Sequence, residues 1–102
     1  MLASFAIVPI GKGEELKEDV AAILEIIDQS GLPYKLGAMQ TTVEGDPKQV
    51  MALIMTCHEA MKTRAQRVLT HITIDDRADA ENRLQGKVND VEAVLGRKLS
   101  SE

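Results

Sequence analysis

The sequence has almost no aromatic surface: Phe5 and Tyr34 are its only aromatic residues, and tryptophan is absent. Proteins that hold single-stranded nucleic acid stack bases on aromatic rings, and sheet-based RNA readers carry such rings on their central strands. Positive charge is also scarce. Lysine and arginine number 12 against 16 acidic residues, a formal net charge of -4. Only Lys62, Arg64 and Arg67 lie close together, so the concentrated basic face that a phosphate backbone requires is missing. Both absences argue against a nucleic-acid partner. The one cysteine, Cys57, allows no intrachain disulfide and no CxxC metal knuckle, and cytoplasmic localisation is the expectation. The two histidines, His58 and His71, have no cysteine or carboxylate at metal-ligand spacing, so no metal and no cofactor is expected. The apolar stretch 1–10 is too short to span a membrane and lacks a basic leader and a cleavage motif. It reads as a strand.

What is present suits one globular domain over residues 1–102. The chain is 44% hydrophobic and 27% charged, both ordinary for a folded protein. Residues 2–8 form an apolar run that ends at Pro9 and predicts a strand. Gly11-Lys12-Gly13 is a turn. It resembles a phosphate loop only loosely, because the P-loop spacing and its hydroxyl residue are missing. Residues 14–30 predict a helix, with Leu16, Val20, Ile23, Leu24 and Ile27 at helical spacing and acidic residues in the first turns. Gly31 and Pro33 stop it. Short strands are expected at 34–36 and 39–44. Asp46 and Pro47 then announce a second helix to about residue 65, with Val50, Leu53, Ile54, Cys57 and Met61 as its buried stripe. Residues 67–75 predict the last strand. A C-terminal helix is expected at about 80–95, capped by Asp79, with Leu84, Val88, Val91 and Leu95 as a narrow apolar seam.

The order β-α-β-β-α-β is that of the ferredoxin-like α+β fold: an antiparallel four-stranded sheet with helices on one face, here plus a C-terminal helix. Alternation along the strands places Phe5, Ile7, Thr41, Val43, Val68, Thr70, Ile72 and Ile74 under the helices. The other face then carries Ser4, Ala6, Val8, Gln40, Thr42, Glu44, Leu69, His71 and Thr73. That face has little charge for an open sheet surface, which predicts that it packs against another subunit or lines a ligand pocket.

Among polar groups, Thr41-Thr42-Val43-Glu44-Gly45 ends a central strand beside a helix N-terminus, where hydroxyls and a carboxylate could orient a polar heterocycle. His71 faces the open side of the sheet. Asp75, Asp76 and Arg77 close the last strand, where an ion pair or a helix cap accounts for them equally well. Cys57, on the apolar stripe, reads as a buried inert thiol. His58 reads as a boundary residue with a satisfied ring.

Several segments together carry a resemblance: Ala6-Ile7-Val8-Pro9-Ile10-Gly11, Ser30-Gly31-Leu32-Pro33-Tyr34, Met39-Gln40-Thr41-Thr42-Val43-Glu44-Gly45, and Arg67-Val68 with Thr70, Ile72, Ile74, Asp75 and Arg77. In that order they resemble the small thiamine-binding-protein family, YkoF-like in fold. The resemblance implies a cytoplasmic, non-catalytic binder of thiamine or its pyrimidine moiety that forms homodimers or homotetramers. It implies Thr41, Thr42, Glu44, Asp75 and Arg77 as ligand residues, with Glu44 facing the aminopyrimidine edge or the thiazolium charge, and His71 joins the expected set from its place on the open face. Two rival readings stand beside it. One is a structural or regulatory homo-oligomer with no small ligand. The other is a small ferredoxin-like enzyme, for which no phosphate cradle or organised acid–base pair stands out.

Overall fold

Strand β1 (Leu2–Ile10), helix α1 (Lys17–Gln29), strands β2 (Tyr34–Leu36) and β3 (Thr41–Glu44), helix α2 (Pro47–Lys62) and strand β4 (Arg67–Asp75) follow one another along the chain. The computed structural model describes residues 1–13, 16–78, 84, 89, 91 and 93–96. The four strands form one sheet in the order β2-β3-β1-β4, and every neighbouring pair is antiparallel. This is the ferredoxin-like α+β arrangement. The expected C-terminal helix falls largely outside the described residues; of its positions, 84, 89, 91 and 93–95 are helical.

The core lies between the sheet and the helices. Ala3 and Phe5 of β1 and Val43 of β3 are buried against Ile23 and Ile27 of α1 and Val50, Leu53, Ile54, Cys57 and Met61 of α2. Helix α2 starts where Asp46 caps it: the carboxylate accepts from the Lys48 N–H at 3.1 Å and the Gln49 N–H at 3.4 Å, and Pro47 needs no partner at the first helical position. All five residues of its expected stripe are buried.

The structure shifts several boundaries. Strand β1 continues through Pro9 to Ile10, because proline is tolerated in a strand wherever no ladder bond is asked of it. Strand β3 begins at Thr41 rather than at Met39, which sits 88% exposed in the hairpin turn 37–40. That turn is closed by the Gly37 N–H donating to the Gln40 carbonyl at 2.8 Å. Helix α1 begins at Lys17, after Leu16, and α2 ends at Lys62. Ile72 and Ile74 share the helix-side face of β4, as alternation requires, yet remain 37% and 48% exposed. They lie on the outermost strand of the sheet, where the helices leave them uncovered.

The two helices relate differently to the sheet. Helix α2 lies closely over β1 and β4, whereas the close neighbour of α1 is α2. Polar bonds hold α1 at both ends. At its start, Asp19 is buried and one oxygen, Oδ1, accepts from Lys12 Nζ at 2.9 Å and from Arg64 Nε at 2.6 Å. At its end, the Tyr34 hydroxyl donates to Asp28 Oδ1 at 2.7 Å. Between these attachments α1 stands off the outer half of the sheet.

A candidate ligand cavity beneath helix α1

The gap under α1 is a cavity of about 310 Å³, at the small end of the roughly 300–1,000 Å³ of small-molecule sites. Val20, Ile23, Leu24 and Ile27 form its roof, residues 5–8 of β1 its floor, and Leu36 with the hairpin turn 37–40 and Thr41 one wall. Among the described residues, none that lines it is charged. Thr41 shares the inward face with Val43 and brings a hydroxyl to the cavity. Val20 and Leu36 are partly exposed at its rim.

The shape follows from strand lengths. Strand β3 pairs with β1 only from Leu2↔Glu44 to Phe5↔Thr41. Strand β4 pairs with all of β1, from Leu2↔Asp75 to Ile10↔Arg67. Past Phe5, then, β1 has a neighbouring strand on one side only. The hairpin turn occupies part of the space on the other side, and the cavity occupies the rest.

The expected ligand residues are divided by the sheet. Thr41 alone lines this cavity. Thr42, Glu44 and His71 lie on the opposite, open face, and Asp75 and Arg77 lie at the far end of β4 and just beyond it. On the open face, Ser4 Oγ donates to Gln40 Oε1 at 2.6 Å, and Thr42 Oγ1 donates to Ser4 Oγ at 3.4 Å. Glu44 Oε1 accepts the Leu84 backbone N–H at 3.2 Å. His71 is exposed opposite Ala6. Asp76 sits 3.9 Å from the Met1 ammonium group. Thr42, Ser4 and Thr73 form one polar row across three strands, and Val8 beside Leu69 forms an apolar row further along.

Asp19 is one of the acidic residues in the first turns of α1, where negative charge suits the helix dipole. Its burial depends on Lys12 and Arg64, which come from a loop and from the end of α2. The Arg64 bond, followed by the Lys12 bond, holds its carboxyl below the ordinary value. Lys12, Lys17, Glu18, Asp19 and Arg64 surround a second hollow of about 410 Å³. The opposed charges there nearly cancel, and the arrangement is that of a fastening for α1. Gly11 and Gly13, at φ +88° and +79°, make the tight turn that delivers Lys12 to it. His58 Nδ1 and Thr70 Oγ1 are 2.6 Å apart, joining α2 to β4. Burial pushes the Cys57 thiol up to about 11. Among the described residues, no three His, Cys, Asp or Glu side chains come together as a metal site, and no helix is long and apolar enough to cross a membrane.

Comparison with known proteins places this architecture. The family model described as "Thiamine-binding protein" matches residues 3–92. A UPF0045 protein of Mycobacterium bovis is 37% identical over 96 residues, covering 93% of this chain and 94% of its own length. The UPF0045 protein YqgV of Bacillus subtilis is 35% identical, covering 88% and 92%. A hypothetical protein from Methanocaldococcus jannaschii superposes with a TM-score of 0.82 at 28% identity, covering 88% of this chain and 93% of that one. A Thermotoga maritima protein, solved as a candidate for thiamine biosynthesis or salvage, superposes with a TM-score of 0.78 at 26% identity, covering 88% and 96%. On its sequence and its fold alike, the chain belongs to the thiamine-binding protein family.

Proposed function

We propose that the protein is a non-catalytic binder of thiamine or of its pyrimidine moiety, and that the pyrimidine ring occupies the cavity beneath α1. The observation that carries this reading is the cavity itself. Its described lining is mostly apolar and carries no charge, with Thr41 in its wall, and it lies in a chain of the thiamine-binding family. An uncharged lining suits the neutral pyrimidine and disfavours burial of the thiazolium cation, so the cationic ring belongs at the mouth, near Val20 and Leu36. Catalysis would need an acid–base pair or a nucleophile beside the ligand. Among the described residues that line the cavity, the polar side chains are Gln40 and Thr41, and neither is an acid–base group.

Titration calorimetry with hydroxymethylpyrimidine and with thiamine tests the reading. Heat is expected with either ligand, and Val20→Trp, which fills the partly exposed mouth without touching the buried core, is expected to weaken binding at least tenfold. Folded protein that gives no heat with millimolar ligand sinks the proposal. Copies of the chain are further proposed to associate through the open face of the sheet, where Val8 and Leu69 lie side by side, 38% and 40% exposed. A cytoplasmic location accords with this role.

A further inference from the structure

The floor of the cavity offers an unpaired stretch of strand backbone. Met1 and Gly45 exchange both bonds: the Met1 amino group donates to the Gly45 carbonyl at 3.0 Å, and the Gly45 N–H donates to the Met1 carbonyl at 3.0 Å. In an antiparallel pair such mutually bonded positions recur at every second residue. The register carries the pattern from Met1↔Gly45 to Ala3↔Val43 and Phe5↔Thr41. Ile7 is next, and its N–H and C=O point to the same side as those of Phe5. Strand β3 has already ended there. The residue that would face Ile7 is Met39, at the exposed turn, and among the described residues no backbone bond joins them. Pro9 agrees with this phase: in the same series, its missing N–H faces the side that has no strand and costs no ladder bond.

We infer that the backbone N–H and C=O of Ile7 are the recognition edge of the cavity, and that they select a flat heterocycle carrying a hydrogen-bond acceptor beside a donor. This rests on the reading of the cavity given above and specifies how it discriminates. A 4-aminopyrimidine has that edge: the ring nitrogen accepts from the Ile7 N–H, and the exocyclic amino group donates to the Ile7 C=O. An apolar cavity sharpens the choice, because a donor or acceptor left unpaired there is costly. Thr41, on the strand beside Phe5, is placed to bond a substituent of the same ring. An added peptide strand suits the edge poorly. It would gain both bonds at Ile7 and then meet Pro9, which cannot donate, while the turn 37–40 stands in the wall beside it.

The test uses the ¹⁵N-labelled full chain, titrated with hydroxymethylpyrimidine and with its analogue lacking the 4-amino group. The Ile7 amide is expected to shift and to exchange more slowly on adding the aminopyrimidine. The Ala3 and Phe5 amides, already paired with β3, should hold their exchange rates, and the analogue should bind at least tenfold more weakly. If the pyrimidine binds while Ile7 is unmoved and the changes fall on Thr42 or His71, the recognition edge is refuted and thiamine-type binding stands. If neither compound binds, both fail. An Ile7 amide already protected in the free protein, and more so at higher protein concentration, also overturns the inference, since a second copy then fills the edge.

Discussion

Asp19 shows how one carboxylate can position a helix. Its neighbour Val20 roofs the cavity, and the Lys12 and Arg64 bonds hold that end of α1 in place. A folded-state pKa below the ordinary 3.8 means that the ionised carboxylate stabilises the fold. That contribution is complete above the unfolded value and is lost as pH falls through the lower, folded one. Asp19→Asn is therefore expected to melt at a lower temperature than the parent at pH 7. The gap should stay constant down to about pH 5 and close below the ordinary carboxylate range, as thermal scans across pH would show. A gap independent of pH would leave Asp19 a packing role alone. None of this was legible in the sequence, where an acidic residue in a first helical turn is accounted for by the helix dipole. The partners lie 7 and 45 residues away, and only the fold brings them together. Cys57 was legible, because its place on the apolar stripe dictates burial, and burial alone raises its pKa to about 11.

At the scale of elements, legibility tracked the strength of the local signal. Helix α2 could be read from its first residue because Asp46-Pro47 combines a cap with a fixed backbone angle, and its apolar spacing is unbroken. Removing the cap should cost roughly 0.5–2 kcal/mol, the usual range for a capping side chain replaced by alanine. Urea denaturation of Asp46→Ala is expected to show that loss as a lower midpoint with an unchanged slope. An unchanged midpoint would mean that Pro47 and the packing of Val50 set the helix start unaided. Strand β1 was read too short and β3 too long for one reason. Proline ordinarily ends a strand, and Met39-Gln40 extend the apolar and polar alternation of β3; in both cases pairing decides. Strand β1 passes through Pro9 because β4 supports it on one side, and Met39 leaves the sheet because the hairpin must turn. The cavity arises from that mismatch in length, so the sequence could single out Thr41 as a candidate without revealing the hollow it lines.

At the scale of the whole molecule, the uncovered apolar surface is the remaining physical problem. Alternation correctly put Val8 and Leu69 on the open face and Ile72 and Ile74 on the other, and all four remain 37–48% exposed. Val8 and Leu69 face outward together, and Ile72 and Ile74 stand on the outermost strand, whose far edge pairs with no strand among the described residues. A long exposed edge strand and an apolar sheet face are both liabilities for a lone chain, and a second copy burying the open face would remove the larger one. Sedimentation equilibrium or native mass spectrometry is therefore expected to give an even multiple of the 11.1 kDa chain mass. Leu69→Glu places a charge in the centre of the open face and should shift the assembly towards monomer by at least tenfold in dissociation constant. Ile72→Lys, on the opposite face of the same strand, should do so far less. If Ile72→Lys dissociates the assembly and Leu69→Glu does not, association runs through the strand edge and the helix side instead. A parent protein of 11.1 kDa at micromolar concentration refutes self-association altogether, and the semi-polar open face is then simply solvated. Because the cavity beneath α1 lies on the other side of the sheet, Leu69→Glu should leave pyrimidine affinity within about twofold of the parent even as the copies separate; affinity that falls with dissociation would show that a neighbouring chain completes the site.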